Sequence, residues 1–234
     1  MSAGSPTELG CRRPTPMRRI APPPLQNIDA INDEVNGSDE LSEWRRELYK
    51  AVRPRSRCQA MPCTLLPDLM MSDERGVADA ARLLSLGVTH ILNLAKGDTA
   101  ARGEEYASCG IAYLECEAFD RPDYDVLGRH FDESFEFYRK ARASPSSRLV
   151  VHCLGGVNRS GLVATALYMW ATKVTLLDAA TEVNRARGSY LWNASFRDQL
   201  VRWAAAEGLL GEVPSAESPC ISLPAKLCLP FSKI

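Results

Sequence analysis

Leu41, Trp44, Leu48 and Val52 recur at helical spacing between Asp39 and Val52, with Glu43, Arg45, Arg46 and Glu47 on the other side, which predicts an amphipathic helix. The short apolar run Cys63 to Leu66 reads as a first strand closed by a Pro67-Asp68 turn. Glu74 to Leu86 carries helical periodicity through Val77, Ala80, Ala81 and Leu84, with Gly87 placed as a C-terminal stop. Val88 to Leu94 is a second strand, in which His90 reads as a strand residue and not a catalytic one. A polar helix is expected around Gly103 to Ser108, then a strand from Ile111 to Glu117 with Ile111, Tyr113, Leu114 and Cys116 as its apolar members. An acidic loop, Ala118 to Asp125, is expected to be mobile. It leads to a helix from Val126 to Ala143 with Phe131, Phe135 and Tyr138 inward.

After a surface turn at Ser144 to Ser147, the continuous apolar run Leu149-Val150-Val151 predicts a strand covered on both faces and ending at His152. Ser160 to Thr172 is then a helix burying Leu162, Val163, Ala166, Leu167 and Trp170. Thr175 to Asp178 has the form of a capping box for a helix reaching about Arg187, and Asn193 to Glu207 makes a last helix. Strands alternating with helices predict an α/β fold with a central mixed, mostly parallel sheet flanked by helices.

The two ends differ from this middle. Residues 1–38 contain RRPTPMRRIAPPPL and read as a disordered Pro- and Arg-containing segment, and residues 211–234 as an unstructured tail, which leaves one domain over 39–210 with its core at about 56–210. The 234 residues are 45% hydrophobic and carry a net charge of −1, so no global field draws the chain to nucleic acid or an anionic membrane. No apolar signal core, membrane-spanning run or myristoylation signal is read, and a cytoplasmic protein, open also to the nucleus, is expected. Eight dispersed cysteines without a secretory signal read as reduced thiols. Cys58 and Cys63 lack a second pair to complete a zinc site, while Cys116, on a strand expected beside that of Cys153, invites a protective disulfide between them.

The chemistry concentrates between the strand ending at His152 and the helix starting at Ser160. Gly155 and Gly156 let backbone amides turn inward, and the helix N-terminus adds its positive dipole end, so the loop is an anion cradle. Cys153 lies at its base and Arg159 at its rim. A thiol among amides and a guanidinium is expected to ionise at neutral pH, and the planar fork of Arg159 suits two oxygens of a phosphoryl group. Attack of sulfur on phosphorus is the reaction this suggests. The leaving oxygen then needs a proton that a thiolate cannot give. Of the nearby acids, Asp125 is placed to cap the Val126 helix, Asp123 follows Pro122 inside a turn, and Asp120 directly follows the strand.

His152-Cys153-Leu154-Gly155-Gly156-Val157-Asn158-Arg159-Ser160 resembles the HCxxGxxRS signature of cysteine-based protein phosphatases, and the chain from Ser56 to Leu210 resembles the small atypical dual-specificity members. Asn193, Phe196, Gln199 and Leu200 are similar to that family's Asn-x-x-Phe-x-x-Gln-Leu ending. The resemblance implies a phosphatase-type strand, phosphate-binding loop and helix. In it Cys153 is the nucleophile forming a phosphocysteine, and residues 153 to 159 hold the phosphate: Cys153, Leu154, Gly155, Gly156, Val157, Asn158 and Arg159. It further implies Asp120 as general acid, Ser160 as donor to the departing sulfur, and His152 as a brace that supports thiol ionisation. Similar enzymes carry a helix before the core, so the 39–52 helix is expected near the substrate entrance. No metal or other cofactor is implied, and the expected partners are phosphorylated proteins, with Arg12, Arg13, Arg18 and Arg19 offering a kinase-docking segment. Gly155 and Asn158 depart from the usual pattern, where relatives carry a larger residue and Ser. Three rival functions are weighed. A 5′-RNA triphosphatase lacks its usual loop His here, a phosphoinositide phosphatase its loop lysines, and a pseudophosphatase would lack groups that are present.

Overall fold

The computed structural model of the protein describes residues 40–53 and 60–213. The elements are α1 (Ser42–Ala51), β1 (Cys63–Leu66), β2 (Leu69–Ser72), α2 (Ala80–Ser85), β3 (His90–Asn93), α3 (Gly103–Ser108), β4 (Ala112–Glu115), α4 (Val126–Arg142), β5 (Leu149–His152), α5 (Arg159–Thr172), α6 (Leu176–Arg187) and α7 (Ala194–Ala206). The five strands form one sheet in the order β1-β2-β5-β3-β4. Only β1 against β2 is antiparallel; β2, β3 and β4 run parallel with β5 or with each other. The mixed, mostly parallel sheet expected from the sequence is therefore present. The central strand is β5, with β2 and β3 on either side, so its carboxyl end opens into a crevice between two neighbours.

Every residue of β5 is buried, as the apolar run required. Alternate residues serve two cores. Leu69, Met71, Leu92, Leu149 and Val151 face a large core built with α1, α4, α5, α6 and α7, whereas Met70, Ile91 and Val150 face a smaller one with α2, α3 and Tyr106. Helix α5 is buried on almost all sides, because it fills the space between the sheet and the outer helices.

Three differences from the sequence reading are local. The strand β2 was not expected: its four residues are all buried, so they show no alternation, and it follows β1 after a two-residue turn. The helix expected over 74–86 is confined to Ala80–Ser85, because Asp73 accepts from the Gly76 amide at 2.7 Å and Asp79 caps the helix by accepting from Arg82 N at 3.0 Å. That shift turns Leu83 inward and leaves Ala81 and Leu84 exposed. Trp170 is half-buried, standing against Phe135 and Tyr138 and not in the core.

The fourth difference is topological. Strand β4 pairs with β3, which separates it from β5. Cys116 and Cys153 thus leave strands two spacings apart, about 9.5 Å, beyond the Cα separation of about 4.4–6.8 Å that a disulfide spans. Both are free thiols. Helix α1 packs through Trp44, Leu48 and Val52 against α6 and α7, and Arg45 pairs with Asp198 of α7 at 2.6 Å. Its contact with the region of the phosphate loop is indirect: Arg197, over the Tyr49 ring, donates to the carbonyls of Leu191 and Trp192.

Candidate active site

The loop from Cys153 to Asn158 is held from outside by its carbonyl groups. Glu74 N donates to Leu154 O at 3.2 Å, Arg187 Nη2 to Gly155 O at 3.3 Å, Arg187 Nε to Gly156 O at 2.8 Å and Leu191 N to Val157 O at 3.1 Å. A trans peptide points its N–H opposite to its C=O, so fixing four carbonyls outward turns the amides of residues 155 to 158 inward. Among the described residues none of these amides donates to a protein group. Gly156 makes the geometry possible. Its φ is +59°, and a Cβ there would come within 2.8 Å of the Ser72 carbonyl group and Asp73 N. Gly155 is different, since a Cβ would meet only Val157 Cγ2 at 3.8 Å and the position is open to a larger side chain.

Cys153 is buried beneath this ring, and its Sγ lies 3.2 Å from Ser160 Oγ in the first turn of α5. Arg159 is buried as well. Its Nη1 donates to Asp98 Oδ2 at 2.6 Å and to Ala118 O at 2.8 Å, while its Nε is buried without a hydrogen-bond partner. One end of the guanidinium is therefore pinned, and the opposite edge, Nε with Nη2, remains to meet two oxygens of a phosphoryl group.

The acids sort as their geometry requires. Asp125 caps α4, accepting from Gly128 N at 2.8 Å, and Asp123 is exposed beside Arg121. Asp120 accepts from Asn158 Nδ2 at 3.0 and 3.2 Å and from Asn193 Nδ2 at 3.2 Å, which places it over the rim of the phosphate loop beside Arg159. Asn158 Oδ1 in turn accepts from Asn193 N at 3.1 Å. The departure from Ser at position 158 thus supplies a side chain that joins the loop, the acid and α7. The acidic loop expected to be mobile is tied at several points: Tyr124 OH donates to Glu117 O, and Gln199 Nε2 donates to Tyr124 O while its Oε1 accepts from the Val126 and Leu127 amides.

Burial lowers the pKa of His152 to about 4, partly offset by the backbone of Cys153. Burial favours the neutral imidazole, and the ring supports the loop by packing.

Sequence reasoning missed Asp98, Arg187 and the amide of Asn193. Arg187 looks like an ordinary basic residue at a helix C-terminus, and Asp98 lies in a polar loop 61 residues before its partner, with no local pattern to single it out.

Sheet and loop together define the class, the cysteine-based phosphatase fold. The model of the family "Dual specificity phosphatase, catalytic domain" matches residues 71–206, and the chain belongs to that family. Dual specificity protein phosphatase 26 of Bos taurus is 34% identical over 135 residues, 58% of this chain and 63% of the relative, so the match spans under two thirds of that relative's length. Dual specificity protein phosphatase 13B of Homo sapiens is 33% identical over 186 residues, covering 75% of this chain and 91% of the relative. The crystal structure of human DUSP28 superposes with a TM-score of 0.57 at 25% identity, over 65% of this chain and 99% of that one.

Two tests follow from the site. Because the folded state holds His152 near 4 against an ordinary 6.5, folding excludes its proton. The associated stability is complete above pH 6.5 and is lost as pH falls through that value toward 4, amounting to about 2.5 kcal/mol by pH 4.5. Urea unfolding of His152→Asn against the wild type should show the variant losing less stability over that interval; parallel curves would refute it. Replacing Asp98 with Asn should release Arg159 and lower kcat by roughly 10- to 100-fold, with Asp98→Glu recovering part of it. Unchanged kcat in Asp98→Asn would show that the Ala118 carbonyl alone holds the arginine.

Proposed function

We propose that this protein hydrolyses phosphotyrosine and phosphoserine or phosphothreonine in protein substrates through a phosphocysteine intermediate. The observation that carries the reading is the ring of inward amides over the buried Cys153, closed by the unpaired edge of Arg159. The amides and the guanidinium favour the negative charge of an incoming phosphoryl group and of the flattened transition state, where its three oxygens spread away from sulfur. Cys153 Sγ forms a bond to phosphorus as the ester oxygen leaves, and Asp120 gives that oxygen its proton. In the second step the Asp120 carboxylate takes a proton from water, water attacks phosphorus, and Ser160 donates to the departing thiolate.

Leu154, at the tip of the phosphate loop, is nearly half exposed. No wall of added chain is read between Cys63 and Cys153 that would hold a short side chain away from sulfur. Dual specificity in the relatives' names agrees with this shallow approach. We further propose, from the sequence alone, a cytoplasmic protein, open also to the nucleus, with kinases among its partners. The arginine-containing segment suggested for kinase docking, and the two ends set apart as 1–38 and most of 211–234, lie outside the described residues.

Phosphopeptides with matched flanks test the function directly. Wild type should release phosphate from both phosphotyrosine and phosphothreonine, with tyrosine favoured by roughly 10- to 200-fold in kcat/KM, and Cys153→Ser should be inactive while still binding vanadate. Activity on phosphotyrosine alone would remove the dual specificity, and turnover by Cys153→Ser would remove the mechanism. Asp120→Asn should lower kcat by about 10² to 10⁴ for alkyl phosphates but much less for p-nitrophenyl phosphate, whose leaving group needs no proton. If Asp123→Asn shows that leaving-group dependence instead, the acid is Asp123.

A further inference from the structure

Cys116 follows β4 directly and is buried, and α4 presents His130 and Glu133 three residues apart on one helical face. Cys116 Sγ, an imidazole nitrogen of His130 and a carboxylate oxygen of Glu133 all lie within 4.8 Å of one another, with Sγ 3.8 Å from Glu133 Oε2. The phosphatase mechanism uses none of the three.

The hydrogen bonds around His130 set its tautomer. The Tyr124 hydroxyl spends its one proton on Glu117 O at 3.0 Å, so at 2.8 Å from His130 it accepts from Nε2–H. In that tautomer the lone pair lies on Nδ1.

Thiolate, imidazole and carboxylate together suit zinc, whereas magnesium and calcium prefer oxygen alone. Bonds of about 2.0–2.3 Å would place tetrahedral ligand atoms roughly 3.3–3.8 Å apart, so the three groups need close by no more than about 1.5 Å. Glu133 is exposed and His130 half-buried, which leaves both free to adjust and gives the cation an approach from solvent.

We infer that Cys116, His130 and Glu133 form a zinc site, with water as fourth ligand, that fastens the end of β4 to α4. The Cys116 S–H proton passes to solvent as the metal binds, so thiolate and carboxylate together balance the two positive charges of zinc. Those ligands stand at both ends of the loop carrying Asp120, and His130 already holds Tyr124 of that loop. The site is a clamp on the acid loop, separate from the chemistry at Cys153.

The test uses the full chain with Cys153→Ser, which removes the thiol of the phosphate loop as a competing zinc ligand. Zinc titrated against a chromophoric chelator should show one equivalent more in Cys153→Ser than in Cys153→Ser/Cys116→Ser. Zinc, and not magnesium, should raise Tm by several degrees. Cobalt should give a thiolate charge-transfer band that disappears with Cys116→Ser. Glu133→Gln, an exposed substitution that leaves the fold alone, should weaken zinc binding about tenfold or more. Equal zinc stoichiometry with and without Cys116, or affinity unchanged in Glu133→Gln, would overturn the site.

Discussion

The outward pull on four carbonyl groups is the constraint on which this active site rests. A flexible loop would point its amides wherever water drew them, and the planarity of the peptide converts any carbonyl bond into an orientation of the following N–H. Arg187 from the end of α6, Leu191 beyond it and Glu74 after β2 each hold part of the loop from a different direction. Three separate pieces of chain thus preorganise a receptor for an anion before any anion arrives. That matters because reorganising backbone dipoles during the reaction would consume much of the electrostatic stabilisation they provide.

The same economy governs Arg159 and Asp120. A guanidinium has more donors than a phosphoryl group can accept in one plane, and Asp98 with the Ala118 carbonyl occupies the surplus. Since Ala118 stands at the start of the acid loop, the contact also couples the position of the arginine to that of Asp120. Asn158 makes the second link, from the loop itself to the acid, and Asn193 the third, from α7. The phosphate loop, Arg159 and Asp120 are parts of one hydrogen-bonded assembly that draws on residues from Asp98 to Asn193.

Much of the architecture was legible in the chain because it depended on local pattern. The run Leu149 to Val151 marked a doubly covered strand, Asp125 and Thr175 cap the helices assigned to them, and the spacing from His152 to Ser160 singled out the phosphate loop. These features need only nearest neighbours and helical or strand periodicity. The strand β2 escaped because burial on both faces erases alternation over four residues, and Leu83 was taken for Leu84 because the start of a short helix is set by a side-chain cap, Asp79.

What only the tertiary structure decided is which distant groups meet. Sequence by itself brought out Cys153, Arg159 and the strand, loop and helix that present them, since these elements are contiguous and their local geometry is dictated by glycine and by a helix N-terminus. It could not show that β3 lies between β4 and β5, which separates Cys116 from Cys153 and turns it toward His130 and Glu133. Nor could it pair Asp98 with Arg159 or Arg187 with the loop carbonyls. Those contacts arise from the order of strands in the sheet, which is selected by the packing of both faces at once. No run of residues records that order locally.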